Sequence, residues 1–182
     1  VIGRDYLARA VTLAWKRGLS THLDGARIFN AAVKLGMPVN QLCAGFDTVS
    51  VCLSKGLGAP AGTVLVGHQG LVDKARRIRK MLGGGMRQVG IVAAAGIISL
   101  EQMVHKLTDD HARARKLADG LRQINGIVVD DGSPYSNMIY LNLSEDVSIN
   151  AQQIGEKMKR LGILVDAENT RRFRLVIHYQ ID

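Results

Sequence analysis

The sequence predicts an α/β protein in two parts. An open α/β sheet with its linking helices covers residues 1–125, and a small α+β module covers residues 126–182. Three observations predict this. From Leu7 to Ile124, short β-branched runs alternate with stretches whose apolar residues recur at helical spacing. After Asn125-Gly126 the pattern changes to four strand-like runs around one helix. A hydrophobic content of 47% over 182 residues suits a globular domain, or one and a fraction, with a substantial core.

Leu7 to Arg17 reads as a helix. Leu7, Val11, Ala14 and Trp15 share one face, Gly18 closes it and Asp5 is placed to cap it. Thr21 to Asp24 is a short strand. Ala26 to Leu35 returns to helical spacing until Gly36, and Pro38 opens another short helix. Thr48 to Leu53 and Gly62 to Val66 are apolar, β-prone runs that read as buried strands. Leu71 to Leu82 is a helix, broken by Gly83-Gly84-Gly85. Val89 to His105 and Asp109 to Ile124 read as two long helices. In the second part, Ile127 to Val129, Met138 to Leu143, Ile163 to Val165 and Phe173 to Ile177 read as strands. Ala151 to Leu161 is the helix among them.

The net charge is +8, but its densest cluster, Lys74, Arg76, Arg77, Arg79 and Lys80, interleaves with Leu71, Ala75, Ile78 and Leu82. That is the solvated face of an amphipathic helix. With only 4% aromatic residues to stack on bases, nucleic acid is not the expected partner. No apolar run is long enough to span a bilayer, so no membrane is expected. Cys43 and Cys52 have neither zinc nor disulfide spacing, which favours a reducing compartment. The five histidines show no metal-ligand spacing. His22 and His178 read as structural or supporting groups, and His105 and His111 as solvated helix residues. The start of the chain has no signal-peptide pattern and no initiator Met, so a piece of a longer chain is expected.

The chemistry is expected where strands end. In open α/β sheets, ligands bind beyond the carboxyl ends of the strands. One strand ends at Asp24, in HLDGAR, and another at Ser54-Lys55, in SVCLSKGLGAPAG. A partly buried lysine amine at such a place can attack a carbonyl as a Schiff-base nucleophile. Pyridoxal phosphate needs such a lysine, with an acidic partner to keep its pyridine nitrogen protonated. Asp24 can be that partner, and Arg27 is near enough in sequence to reach the same ligand. Each residue also has an ordinary use: Asp24 before Gly25 suits a turn or cap, and Lys55 could be a surface lysine. The triglycine segment can expose backbone N–H groups to an anion, or simply break a helix.

Three blocks, HLDGARIFNAAVKLG, SVCLSKGLGAPAGTVLVG and RKMLGGGMRQVGIVAAAGIISL, resemble low-specificity L-threonine aldolases. These are pyridoxal-phosphate enzymes of the aspartate-aminotransferase fold type (fold type I). The resemblance runs over nearly the whole chain. It implies a large cofactor-binding domain, of which residues 1–125 are the C-terminal part, and a truncated small C-terminal domain. It implies that Lys55 carries pyridoxal 5'-phosphate, that Asp24 pairs with the pyridine nitrogen, and that Arg27 contacts the side of the ring's phenolic oxygen. By the same resemblance, Arg87 reaches a cofactor phosphate across a subunit interface. Arg174 takes the substrate carboxylate, a task that suits bidentate geometry. Arg171 and Arg172 are adjacent competitors for that last role, and a solvated basic strand start is the plain alternative.

The activity implied is aldol cleavage of L-threonine and L-allo-threonine to glycine and acetaldehyde, in a cytoplasmic homo-oligomer, a dimer or tetramer. Threonine catabolism and glycine biosynthesis would be its setting. Family members are considerably longer. The resemblance therefore implies a missing N-terminal part with the phosphate-binding loop and a ring-stacking histidine, and a last helix beyond Asp182. Two alternatives stand beside it: another fold-type-I lyase or aminotransferase, and an inactive fragment or isoform that pairs with full-length subunits.

Overall fold

A computed structural model of the chain describes residues 1–181. The chain divides into two compact units, Val1–Leu107 and the part from Thr108 onward.

The first unit holds α1 (Arg4–Lys16), β1 (His22–Asp24), α2 (Ile28–Leu35), α3 (Val39–Cys43), β2 (Thr48–Cys52), β3 (Thr63–Gly67), α4 (Gln69–Met81) and α5 (Gly90–Ile98). Its sheet has the order β1-β2-β3, with β1 and β2 parallel and β2 and β3 antiparallel. Alternation along the strands divides the sheet into two faces. Leu23, Val49 and Val51 point to the side where Ile28, Ala32 and Leu42 of the two following helices form the core. His22, Asp24, Ser50 and Cys52 point the other way. The parallel register pairs Asp24 with Ser50, which brings two distant segments side by side. Asp47 ties the two strand starts together: its Oδ2 accepts from the Thr21 backbone N–H at 2.7 Å and from the Thr21 hydroxyl at 2.9 Å. These hydrogen bonds hold its carboxyl below the usual range.

Several expectations are corrected here. The run at Thr48 is not buried on both faces, because only Val49 of β2 is fully enclosed, and β3 is exposed along its whole length. Asp5 does not cap α1; Gly3 does, and Asp5 lies in the first turn, where its charge suits the helix dipole. The long helix expected from Val89 to His105 is α5 followed by a π-helical turn, Ser99–Met103. The Ser99 hydroxyl donates to the Ala95 carbonyl at 2.9 Å, a back-bond that competes with the regular ladder.

The second unit holds α6 (Leu107–Leu121, entering from the first unit at Leu107), β4 (Ile127–Val129), β5 (Met138–Leu143), α7 (Ala151–Arg160) and β6 (Arg172–Val176). Its sheet, β4-β5-β6, is antiparallel throughout. Ile139, Leu141 and Leu143 of β5 are buried, while Met138, Tyr140 and Asn142 between them are half-buried. Ala114 and Ala118 of α6 pack with Ile139 and Ile177. Ala151 of α7 packs with Leu141, Leu143 and Phe173. Thus α6, which precedes Gly126, supplies core to this unit. A reciprocal capping box of Asn150 and Gln153 starts α7.

Ile163 to Val165 is not a strand. After the turn at Gly162, only Ala167 bridges to β6, opposite Phe173. β-Propensity needs a partner to pack and pair with, and Leu164 is 79% exposed. His111 is also corrected: it is buried, with 3% of its surface exposed, because α6 turns that face inward. His105 lies in the turn before α6 and is exposed.

Candidate functional site

The polar face of the first sheet carries an open depression of about 390 Å³. Its lining is His22, Asp24, Ala26, Ser50, Cys52, Lys55 and Thr63. Asp24 and Lys55, 31 positions apart in sequence, therefore meet at one surface, as the strand-end argument expects.

Each is placed by identifiable local structure. Asp24 ends β1, and its Oδ1 accepts from the Ala26 backbone N–H at 3.0 Å. The turn role and a role toward a ligand are thus compatible, because one carboxylate oxygen makes the turn and the other is free to point into the depression. Gly25 is required next to it: a Cβ there would lie 2.8 Å from the Ser50 carbonyl oxygen and 3.1 Å from a Val49 methyl. That close approach sets the end of β1 against β2.

Lys55 is placed by the loop that follows β2. The Leu53 N–H donates to the Gly62 carbonyl at 3.0 Å, and the Leu53 carbonyl takes the Ala59 N–H at 3.0 Å. The Gly58 N–H donates to the Lys55 carbonyl at 2.9 Å, so the loop closes on itself. Leu53, Leu57 and Ala59 point inward and pack with Leu107. Gly56 fits between Leu107 and Asn30, each about 3 Å from where its Cβ would be. With its apolar neighbours turned inward, Lys55 is left outside, exposed rather than partly buried.

Around this pair stand His22, expected as a structural or supporting group, and Cys52, for which no role at a site was expected. His22 Nδ1 is 2.8 Å from the Thr48 hydroxyl, which fixes the ring at the rim. The Cys52 sulfur is 3.4 Å from the Ser54 hydroxyl. Burial pushes the Cys52 thiol up, but hydrogen bonds from Ser54 and Thr63 and the Lys55 charge outweigh it. The thiol therefore ionises below its usual range. The period of two along HLD and TVSVC was the available signal: every second residue is polar.

The arginines are distributed differently. Arg27, half-buried, stands at the start of α2 next to Ala26 but does not line the depression. Arg87, exposed, follows the glycine run and does not line it either. In that run, a Cβ on Gly85 would collide with the side chain of Lys80, which lies across it.

Arg174 belongs to the second unit, on β6, and its surroundings separate it from its neighbours. The guanidinium of Arg171 is consumed by backbone carbonyls, Leu143, Ser144 and Val147, which it clamps together. Arg172 pairs with Asp130 at 2.6 Å and Glu168 at 3.1 Å, and its guanidinium lies 5.2 Å from the centre of the Tyr140 ring. Arg174 has one ion pair among the described residues, 3.8 Å from its Nε to Glu168, and its side chain is 49% exposed. Of the three, it is the one with donors to spare.

Among the described residues, no helix is long and apolar enough to cross a membrane. Among the described residues, no group of three or more His, Cys, Asp or Glu is arranged to hold a metal ion.

Comparison with known proteins matches residues 1–144 to the family described as β-eliminating lyase. The chain is 46% identical over 177 residues to the Arabidopsis thaliana protein named "Probable low-specificity L-threonine aldolase 2", covering 97% of this chain and 50% of that protein. It is 41% identical over 181 residues to the low specificity L-threonine aldolase of Escherichia coli K12, covering 100% of this chain and 52% of that protein. The chain spans about half the length of the curated relatives it matches. Among solved structures, the Leishmania major threonine aldolase superposes with a TM-score of 0.73 at 17% identity, covering 98% of this chain and 52% of that one, a likeness of fold.

Proposed function

The chain belongs to the β-eliminating lyase family, and from that premise we propose that it serves the aldol cleavage of L-threonine and L-allo-threonine to glycine and acetaldehyde, with pyridoxal 5'-phosphate held at Lys55. The observation that carries the proposal is the meeting of Asp24 and Lys55 at one depression on the polar face of a sheet. The relatives named as L-threonine aldolases support the substrate.

The donor set fits the cofactor: a primary amine, a carboxylate on the adjoining strand end, and small or polar side chains between them. When bound, pyridoxal phosphate supplies an electron sink for the pair left on Cα as the Cα–Cβ bond breaks. The Lys55 amine would hold it at the depression. The Asp24 carboxylate holds the proton on the pyridine nitrogen, and its turn hydrogen bond keeps it oriented. Arg174 grips the substrate carboxylate through two parallel N–H donors. Arg27 is assigned to the side of the phenolic oxygen and Arg87 to a phosphate across a subunit interface. The proposal extends to a cytoplasmic homo-oligomer, a dimer or tetramer, and to threonine catabolism and glycine formation.

The test is covalent. The protein is incubated with pyridoxal phosphate, reduced with borohydride and digested, and the adduct is mapped. The expected label is on Lys55, absent from Lys55→Ala. A folded chain labelled elsewhere, or not at all, overturns the assignment. The family's own description favours a second reading, elimination at Cβ. Product analysis separates them: cleavage of L-threonine yields glycine and acetaldehyde, whereas elimination yields a 2-oxo acid and ammonia.

A further inference from the structure

We propose that Glu168 is a positioning residue for Arg174: it holds the guanidinium from the Nε side and leaves the two Nη groups to take a carboxylate end-on. The inference rests on the reading of Arg174 as the carboxylate-binding arginine.

The backbone places Glu168. The bridge between Ala167 and Phe173 brings it beside β6, and its N–H donates to the Arg172 carbonyl at 2.9 Å. From there its carboxylate divides. Oε2 lies 3.1 Å from Arg172 Nε, a hydrogen-bonded ion pair, and Oε1 lies 3.8 Å from Arg174 Nε, an ion pair without a hydrogen bond. Arg172 and Arg174 are two apart on one strand, so both guanidinium groups rise from the same face of the sheet.

The network is anchored at one end and open at the other. Asp130 takes Arg172 at 2.6 Å and is itself held by the Asn142 amide at 2.7 Å. The Tyr140 ring lies beneath the Arg172 guanidinium. Arg172 is thereby immobilised, and it in turn immobilises Glu168. Arg174, at the open end, is restrained only through Glu168 among the described residues.

A guanidinium can bind a carboxylate through Nε and one Nη, or through both Nη groups. A carboxylate already on the Nε side leaves the second mode. A long arginine without that restraint would be spread over many rotamers, and ordering it would weaken binding. A contact of 3.8 Å restrains by charge without consuming the donors that the ligand uses.

The experiment is a titration of the isotope-labelled protein with glycine, followed by backbone amide and arginine Nε–Hε NMR signals. Glycine is expected to move the Arg174 signal and not that of Arg172. Glu168→Ala is expected to weaken glycine binding roughly fivefold, the upper end for a partly exposed ion pair. Glu168→Gln, which keeps the shape and loses the charge, falls between it and the native protein. Asp130→Asn loosens the anchored end while leaving the Glu168 charge beside Arg174, and is expected to weaken glycine binding less than Glu168→Ala does. Equal weakening in Asp130→Asn and Glu168→Ala would mean a general structural role and overturns the proposal. So does native binding in Glu168→Ala when Arg174→Ala has lost it, with the reading of Arg174 intact. Native binding in Arg174→Ala overturns that reading, and the role of Glu168 with it.

Discussion

Asp110 stands in the first turn of α6 with 1% of its surface exposed. Burial pushes its carboxyl above the usual range, against the pull of Arg113 and His178, with Asp109 adding to the rise. A carboxyl whose folded-state pKa is raised holds its proton more tightly when folded. Its contribution to stability is present below the unfolded-state pKa and is lost as pH rises through the raised value. Asp110→Asn, which cannot ionise, is therefore expected to lose less stability than the native protein between pH 4 and pH 7, read by urea unfolding at both. Nothing in the local pattern marked this residue, since Asp at a helix start is ordinary. Its burial follows from packing within its unit. The same holds for His111 beside it, whose helical position read as solvated. Asp24 and Lys55, by contrast, lie at one depression as residue type and nearness to a strand end suggested, although Lys55 is exposed rather than partly buried.

At the scale of elements, the turn from β1 into α2 is a tightly constrained join in the first unit. Gly25 lets the backbone pass within contact of the Ser50 carbonyl on β2. A methyl at 2.8 Å from a backbone oxygen cannot be relieved by a side-chain rotation, so the strands must part. Gly25→Ala is expected to cost about 1–3 kcal/mol, the usual range for overpacking. It should also lower the yield of Lys55 adduct, because Asp24 moves with the turn. Thermal unfolding and the borohydride label check the two effects separately. Most elements were legible from periodicity and punctuation: six of the seven expected strands occur, with no end shifted by more than one residue. The two failures have distinct causes. Ile163 to Val165 had the composition of a strand and no neighbour to pair with. The helix after Val89 had continuous helical character, and the hydroxyl of Ser99 intervened in its ladder.

At the scale of the whole molecule, a ligand that binds only the folded state stabilises it by mass action. Pyridoxal phosphate at a hundred times its Kd is expected to add about 2.7 kcal/mol to the native protein, and much less to Lys55→Ala, as seen in the thermal midpoint. Equal shifts in both would place the anchor elsewhere. By itself, the sequence determined the α/β class, the order of the elements, the strand-end position of Asp24 and the place of Lys55 just after a strand. All of these rest on interactions between near neighbours. Tertiary structure alone decided that Asp24 lies beside Ser50, since that pairing depends on strand register. It also decided that Leu53, Leu57 and Ala59 turn inward against Leu107 and leave Lys55 outside. It distinguished Arg174 from Arg171 and Arg172, because their partners include Asp130, Leu143 and Val147, more than twenty positions away. Ion pairs and registers of that span have no local pattern to announce them, and only the folded chain brings them into contact.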